Sequence, residues 1–153
     1  MSAQNISLVV IPCGGAKLET AAPAAELYTG SMFKDALNTA RTMTTDDNIR
    51  ILSALYGLIK LTDIVAPYDV KMGSGDDVSD STLRGQLEEI TGGPFNPAVT
   101  IEALLPKQYN AKLQACRGFY PINNHLTGCA GIGYQKAKLK QLRTESLNKK
   151  EGF

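Results

Sequence analysis

Histidine is nearly absent from this chain of 153 residues, His125 being the only one. A Cys/His or Ser/His mechanism would have to recruit it from the far end of the chain, which excludes most nucleophile–histidine triads. Cysteine is scarce too. Cys13, Cys116 and Cys129 leave one thiol over under any disulfide scheme, and none stands in a CxxC or a Cys/His cluster with zinc spacing. Reduced thiols, no structural metal and no cofactor are the expectation. No apolar run approaches the ~20 residues that span a membrane. The apolar segment "ISLVVIP" near the start is too short for a signal peptide and lacks a basic flank. A cytoplasmic protein with no membrane partner is therefore expected. Internal repeats and low-complexity segments are also missing.

What is present fits one globular domain, 1–153. Hydrophobic residues make up 43% and charged residues 20%, ordinary values for a soluble fold. A chain of this length buries roughly 70% of its unfolded surface. The net charge of +1 hides an asymmetry: from Lys136 onward, six basic residues face Glu145 and Glu151, so this tail carries +4 and the remainder −3. Such a basic helix is either an electrostatic footprint for nucleic acid or a solvated face with a frayed end.

The apolar pattern alternates between strand and helix. Ile6 to Pro12 is a run dominated by β-branched residues, as for a strand buried on both faces. "SMFKDALNTARTM", Ser31 to Met43, places Met32, Phe33, Ala36, Leu37 and Ala40 at helical spacing, with Thr29 or Ser31 as cap. "NIRILSAL" reads as a second strand. A strand, a crossover helix and a strand make a right-handed unit and imply a parallel sheet. "MGSGDDVSD" is an exposed loop, "STLRGQLEEI" a helix, "TGGPFNP" a turn, "AVTIEALL" a strand and "KQYNAKLQAC" a helix. The last helix is expected over Tyr134 to Leu147. The fold class is α/β: three layers, a central and mainly parallel sheet of unresolved strand order, and a C-terminal helical, helix-hairpin-helix-like segment.

In such a sheet, ligands bind beyond the carboxyl ends of the strands. The first strand runs into "CGGAK", where Gly14, Gly15 and Lys17 suit an anion cradle, although two glycines after a strand are also a common tight turn. GxxxxGK[ST] and GxGxxG are both absent here, which excludes a P-loop and a dinucleotide fingerprint. The second strand runs into "SALYGL", Ser53 to Leu58. "PYD", Pro67 to Asp69, follows shortly after. These three polar loops are expected at one edge.

The combination of "PCGGAK", "AAELYTGSMF", "ILSALYGLI" and "APYDV" resembles a family of short bacterial and phage proteins of unknown function, related to the YaaA-like peroxide-stress proteins. The shared motifs are C-x-x-x-K, LY-x-x-S-x-F, SA-x-YGL and PYD. They cover roughly the first 72 residues. A weaker match extends to "GIGYQKAKLKQL". The resemblance implies functional positions at Cys13, Lys17, Tyr28, Ser31, Tyr56, Gly57, Pro67, Tyr68 and Asp69, and further on at Gly131, Gly133 and Gln135.

The later segment also has a reading of its own. Gly131, Gly133 and Ala137 match the GxGxxxA core of a helix-hairpin-helix, in which backbone N–H groups meet a phosphate. Lys136, Lys138 and Lys140 would reinforce that contact. Pro121 and two asparagines in "RGFYPINNHLT" argue against the preceding helix of such a hairpin. Among the remaining candidates, Cys13 is read as a packed thiol in preference to a nucleophile, and His125 as a solvated loop residue. Asp76 and Asp77 are read as keeping their loop soluble in preference to binding Mg²⁺.

Two functions follow. One is an enzyme acting on a nucleobase, a nucleotide or modified DNA, at an N-glycosidic bond. Asp69 would be its carboxylate, Tyr56 or Tyr68 its stacking aromatic and Lys17 its cation, with Cys13, Gly14, Gly15, Tyr28, Ser31, Ser53 and Gly57 around the ligand. The alternative is a non-catalytic nucleotide- or DNA-binding protein using the same loops and the basic last helix.

Overall fold

The computed structural model describes residues 5–151, and the side chains of 5–147. Its centre is β1 (Ile6–Pro12), in which Leu8, Val9, Val10 and Ile11 are all buried. Successive residues point to opposite faces, so β1 is covered on both. It pairs in parallel with β3 (Ile49–Ser53) on one side and β6 (Val99–Ala103) on the other. The register sets Val9 against Ile49 and, across β1, Ser7 against Thr100. Beyond β6 lies β7 (Ile122–Asn124), also parallel. Beyond β3 lies β4 (Gly57–Lys60), the one antiparallel member. The sheet order is β4-β3-β1-β6-β7.

Helices cover both faces. After a four-residue α1 (Ala24–Leu27), α2 (Ser31–Met43) links β1 to β3 and packs on β1 and on α5 (Ile132–Glu151). The other pair, α3 (Asp80–Thr91) and α4 (Lys107–Ala115), packs together. Right-handed connections running in opposite directions from β1 and β6 put these pairs on opposite faces. The outcome is α/β with a mixed, mostly parallel sheet. A two-stranded ribbon, β2 (Ala22–Pro23) with β5 (Ile64–Val65), lies apart from it. No described helix is long and apolar enough to cross a membrane.

The α2 bounds match the helical spacing, but its cap does not. Gly30 occupies the cap position and has no side chain to offer it, while the preceding Thr29 is held by its N–H to Ala16 O at 3.0 Å. The second strand stops at Ser53, earlier than the apolar run, because Ser53 Oγ accepts the N–H groups of Leu55 and Tyr56 and turns the chain. Gly57, at φ +79°, then starts β4. The last helix begins at Ile132 and runs to Glu151, longer at both ends than expected. It follows β7 and a turn, not a helix, so the helix-hairpin-helix-like expectation is not met. Pro121 and the strand pairing of Asn123 and Asn124 with β6 account for this.

Candidate functional site

Because β1 and β3 are parallel, their carboxyl ends deliver Cys13 and Ser53 to the same edge, where the Cys13 N–H donates to Leu52 O at 3.2 Å. The chain then passes through Gly14 and Gly15 to Lys17, which faces Tyr28 in a short antiparallel bridge. No hydrogen bond of the described residues uses the N–H of Gly14, Gly15 or Ala16. A Cβ at Gly14 or Gly15 would meet nothing within 4 Å, and neither has a positive φ. Packing within the chain thus does not require glycine at either place.

Tyr68 stands at the middle of the site. Its Oη is 2.6 Å from Ser53 Oγ and 2.6 Å from Tyr28 Oη. The Lys17 ammonium lies 4.3 Å from the Tyr68 ring centre and 5.8 Å from that of Tyr28. Its other contact is Gly15 O at 3.3 Å, and no carboxylate of the described residues pairs with it. A cation held by π faces and one carbonyl keeps its charge available to an anion. Tyr56, 45% exposed, sets its ring at a right angle to that of Tyr68 with centres 5.6 Å apart.

Burial raises all three central phenols above the ordinary tyrosine value. Tyr28 is pushed up to about 12, a rise partly offset by its bond to Tyr68. Tyr68 and Tyr109 are raised as well, first by burial and next by the nearby Cys13 thiol. These side chains are protonated donors at neutral pH. The site therefore combines neutral donors and one cation, a set that suits an anionic, acceptor-rich ligand.

Tyr109, in the first turn of α4, did not stand out in the sequence. Its Oη is 3.2 Å from Cys13 Sγ, linking the loop after β1 to the helix after β6. The chain leaves β1 toward β3 and β6 toward β7, so the β1/β6 boundary is the topological switch point of the sheet, where open α/β folds bind ligands. A cleft of about 350 Å³ lies on the same edge, lined by Leu105, Lys107, Asn110, Asn124, Thr127 and Cys129 among others. It adjoins another of about 430 Å³ beside Tyr134 and Lys138 of α5.

Asp69 is exposed and makes no hydrogen bond or ion pair with the described residues. Gly57 is needed by the fold itself: its φ is positive, and a Cβ there would collide with Gln86 Oε1. Ser31 opens α2 and accepts a hydrogen bond from Lys136 Nζ at 3.0 Å, while Asp35 pairs with the same ammonium at 3.4 Å. Lys136 thus holds α5 to α2. Lys138 and Lys140 have no such partner among the described residues. Gly131, at φ +85°, turns the chain into α5, and Gly133 lies in its exposed first turn. Gln135 is buried, with its N–H on Gly131 O.

His125 and Asp77 differ from expectation. His125 is not simply solvated, since its Nε2 is 2.8 Å from Glu102 Oε2 on β6. Asp77 accepts the Gly73 N–H and pairs with Lys112 at 3.4 Å, fastening its loop to α4, whereas Asp76 remains exposed. Cys116 is buried with its thiol donating to Lys112 O, and no cysteine is in a disulfide.

Fold and site define an open-sheet α/β protein with a tyrosine-rich candidate site beyond its strand ends. The chain belongs to a family of unknown function, DUF6884, which matches it over residues 8–141. It is similar to a UPF0246 protein of Shewanella denitrificans, 39% identical over 87 residues, covering 56% of this chain and 33% of that one. A UPF0246 protein of Neisseria gonorrhoeae is 34% identical over 80 residues, covering 49% and 29% respectively. The matched stretch is thus about a third of the length of these relatives. The similarities support a YaaA-like grouping of unknown function.

Proposed function

We propose that the protein is an enzyme acting on a nucleotide, a nucleobase or modified DNA, and that its reaction is cleavage of an N-glycosidic bond. The observation that carries this reading is the convergence on Tyr68 of the loops after β1 and β3 and the PYD segment, with a lysine above its ring that pairs with no carboxylate of the described residues. Three unused backbone N–H groups at Gly14, Gly15 and Ala16, beside Lys17, suit a phosphate. The exposed Tyr56 ring at the mouth suits a stacked base. Asp69, which follows Tyr68 and is bound to none of the described residues, is assigned to aligning water and offsetting positive charge on the sugar.

A second reading, non-catalytic binding of DNA or a nucleotide, is favoured by Lys138 and Lys140, whose charges no described residue pairs. One experiment separates them. The protein is incubated with nucleosides, 5′-mononucleotides and modified DNA, and free base is sought by mass spectrometry. Base release supports the enzyme. Salt-dependent DNA binding without turnover supports the second reading, and neither outcome with any of these ligands removes both.

A further inference from the structure

The hydroxyls of Ser53, Tyr68 and Tyr28 form a chain with 2.6 Å at each link, and the direction of each bond follows from its surroundings. A hydroxyl has one proton and two lone pairs. Ser53 Oγ already accepts N–H groups from Leu55 at 3.2 Å and Tyr56 at 3.0 Å. Its proton therefore goes to Tyr68. Tyr28 is 1% exposed; Tyr68 is the one residue among those described that lies within hydrogen-bond distance of its hydroxyl, and the nearby Ser53 oxygen, already filled by two N–H groups, offers it no lone pair. Were Tyr68 the donor to Tyr28, the Tyr28 proton would be buried with no acceptor, the costly arrangement. Tyr28 therefore donates as well. Both lone pairs of Tyr68 are filled, and its own proton has no acceptor among the described residues.

We propose that Tyr68 is the proton and hydrogen-bond donor of this site, presenting that remaining O–H to an acceptor atom of the ligand. Of the two tyrosines in the chain of hydroxyls it is the half-buried one, and its ring edge meets the exposed Tyr56. Its chemical role rests on the glycosidase reading. There, the C1′–N bond breaks with its electron pair passing to the base, and Tyr68 Oη gives the base a proton. Water forms the new C1′–O bond and loses a proton to Asp69, which returns it to solvent, and Tyr68 is reprotonated from solvent. The phenolate formed in between would receive hydrogen bonds from Ser53 and Tyr28 and lie under the Lys17 ammonium. Burial keeps the phenol protonated beforehand.

Two measurements test this, and the first needs no activity. In protein carrying ¹³C at tyrosine Cζ, the Tyr28 hydroxyl proton should be shifted downfield and exchange slowly, while that of Tyr68 exchanges with water. Tyr68 as the downfield, protected proton overturns the proposal. The second compares wild type with Tyr68→Phe, which keeps the ring beneath Lys17. Base release from ordinary 5′-mononucleotides should fall ~100-fold or more, the usual loss for an acid catalyst. Release from 7-methylguanosine 5′-monophosphate, whose base is already cationic, should change less than ~10-fold because no leaving-group proton is required. An equal loss on both substrates overturns the donor role. A wild-type protein that releases no base overturns the glycosidase reading instead, while the hydroxyl measurement still decides the donor.

Discussion

Cys13 and Tyr109 lie 96 positions apart in the chain, yet their thiol and phenol are 3.2 Å apart. That contact joins the first strand's loop to the helix after β6, so the candidate site is walled by both halves of the sheet. It also gives the buried thiol a polar partner, which simple packing would not require. The loop holding Lys17 is thereby fixed at both ends: by Cys13 on Tyr109, and by the bonds of Leu18 to Leu27 O and Thr29 to Ala16 O. Such anchoring holds donors in place before a ligand arrives.

Gly57 is the position at which this scaffold should be least tolerant. Gln86 reaches across from α3, its Oε1 accepting the Leu58 N–H and its Nε2 donating to Tyr56 O, both at 2.9 Å. Gly57→Ala would place a Cβ against that amide while forcing a left-handed φ on alanine. Urea unfolding should show a loss of about 2 kcal/mol or more. A loss under about 0.5 kcal/mol would mean that the hairpin and Gln86 give way without strain.

Acid should loosen the loop between Met72 and Val78 through Asp77. Its carboxyl is held below the ordinary value, chiefly by the Gly73 N–H and then by Lys112, with burial opposing. A depressed folded-state pKa means that the stabilisation is complete above the unfolded value, near pH 4, and is lost as pH falls through the folded value. Wild-type Tm should therefore drop as pH falls below about 4, and Asp77→Asn should flatten that part of the profile. Parallel curves for the two proteins would show that Asp77 contributes nothing to the acid dependence.

The parts of the fold that could be read from sequence are those with one strong period. β1 is an apolar run rich in β-branched residues, and α2 carries its apolar residues three and four apart; both have the expected limits. β4, β7 and the ribbon of β2 and β5 are only two to four residues long, too short for either period to register. The meeting of Lys17 and Ser53 was legible because parallel strands place their loops at one edge, and Tyr68 was joined to them only through the PYD motif that follows shortly after the second strand. Tyr109 was not, since it reads as one aromatic on a weakly amphipathic helix. Only the strand order, which puts β6 beside β1, gives its place a meaning.

The basic last helix should divide into two kinds of lysine. Lys136 is engaged with Asp35 and Ser31, so Lys136→Gln should lower stability and leave most DNA affinity intact. Lys138 and Lys140 pair with no carboxylate of the described residues. If α5 meets phosphates, the double change to glutamine should weaken DNA binding and reduce the slope of log K against log salt by up to about 2, one unit per lost phosphate contact. An unchanged slope would leave these lysines as a solvated face.

Asp69 carries the sharpest chemical prediction, because its surroundings ask nothing of it. It is exposed, forms no bond within the described chain, and directly follows the tyrosine on which three loops converge. A carboxylate that only terminated a turn would be expected to accept a backbone N–H, as Asp63 does from Lys60 at 2.9 Å and Asp77 from Gly73 at 3.1 Å. Asp69 has no such bond. Asp69→Asn preserves shape and removes charge, so Tm and nucleotide affinity should stay close to wild type. Turnover should fall by ~100-fold or more if the carboxylate aligns water and offsets charge on the sugar. Because the lost interaction belongs to the transition state, kcat and kcat/KM should fall together while KM holds. A lower Tm with unchanged activity per folded molecule would assign Asp69 to the turn and leave the reaction without this carboxylate.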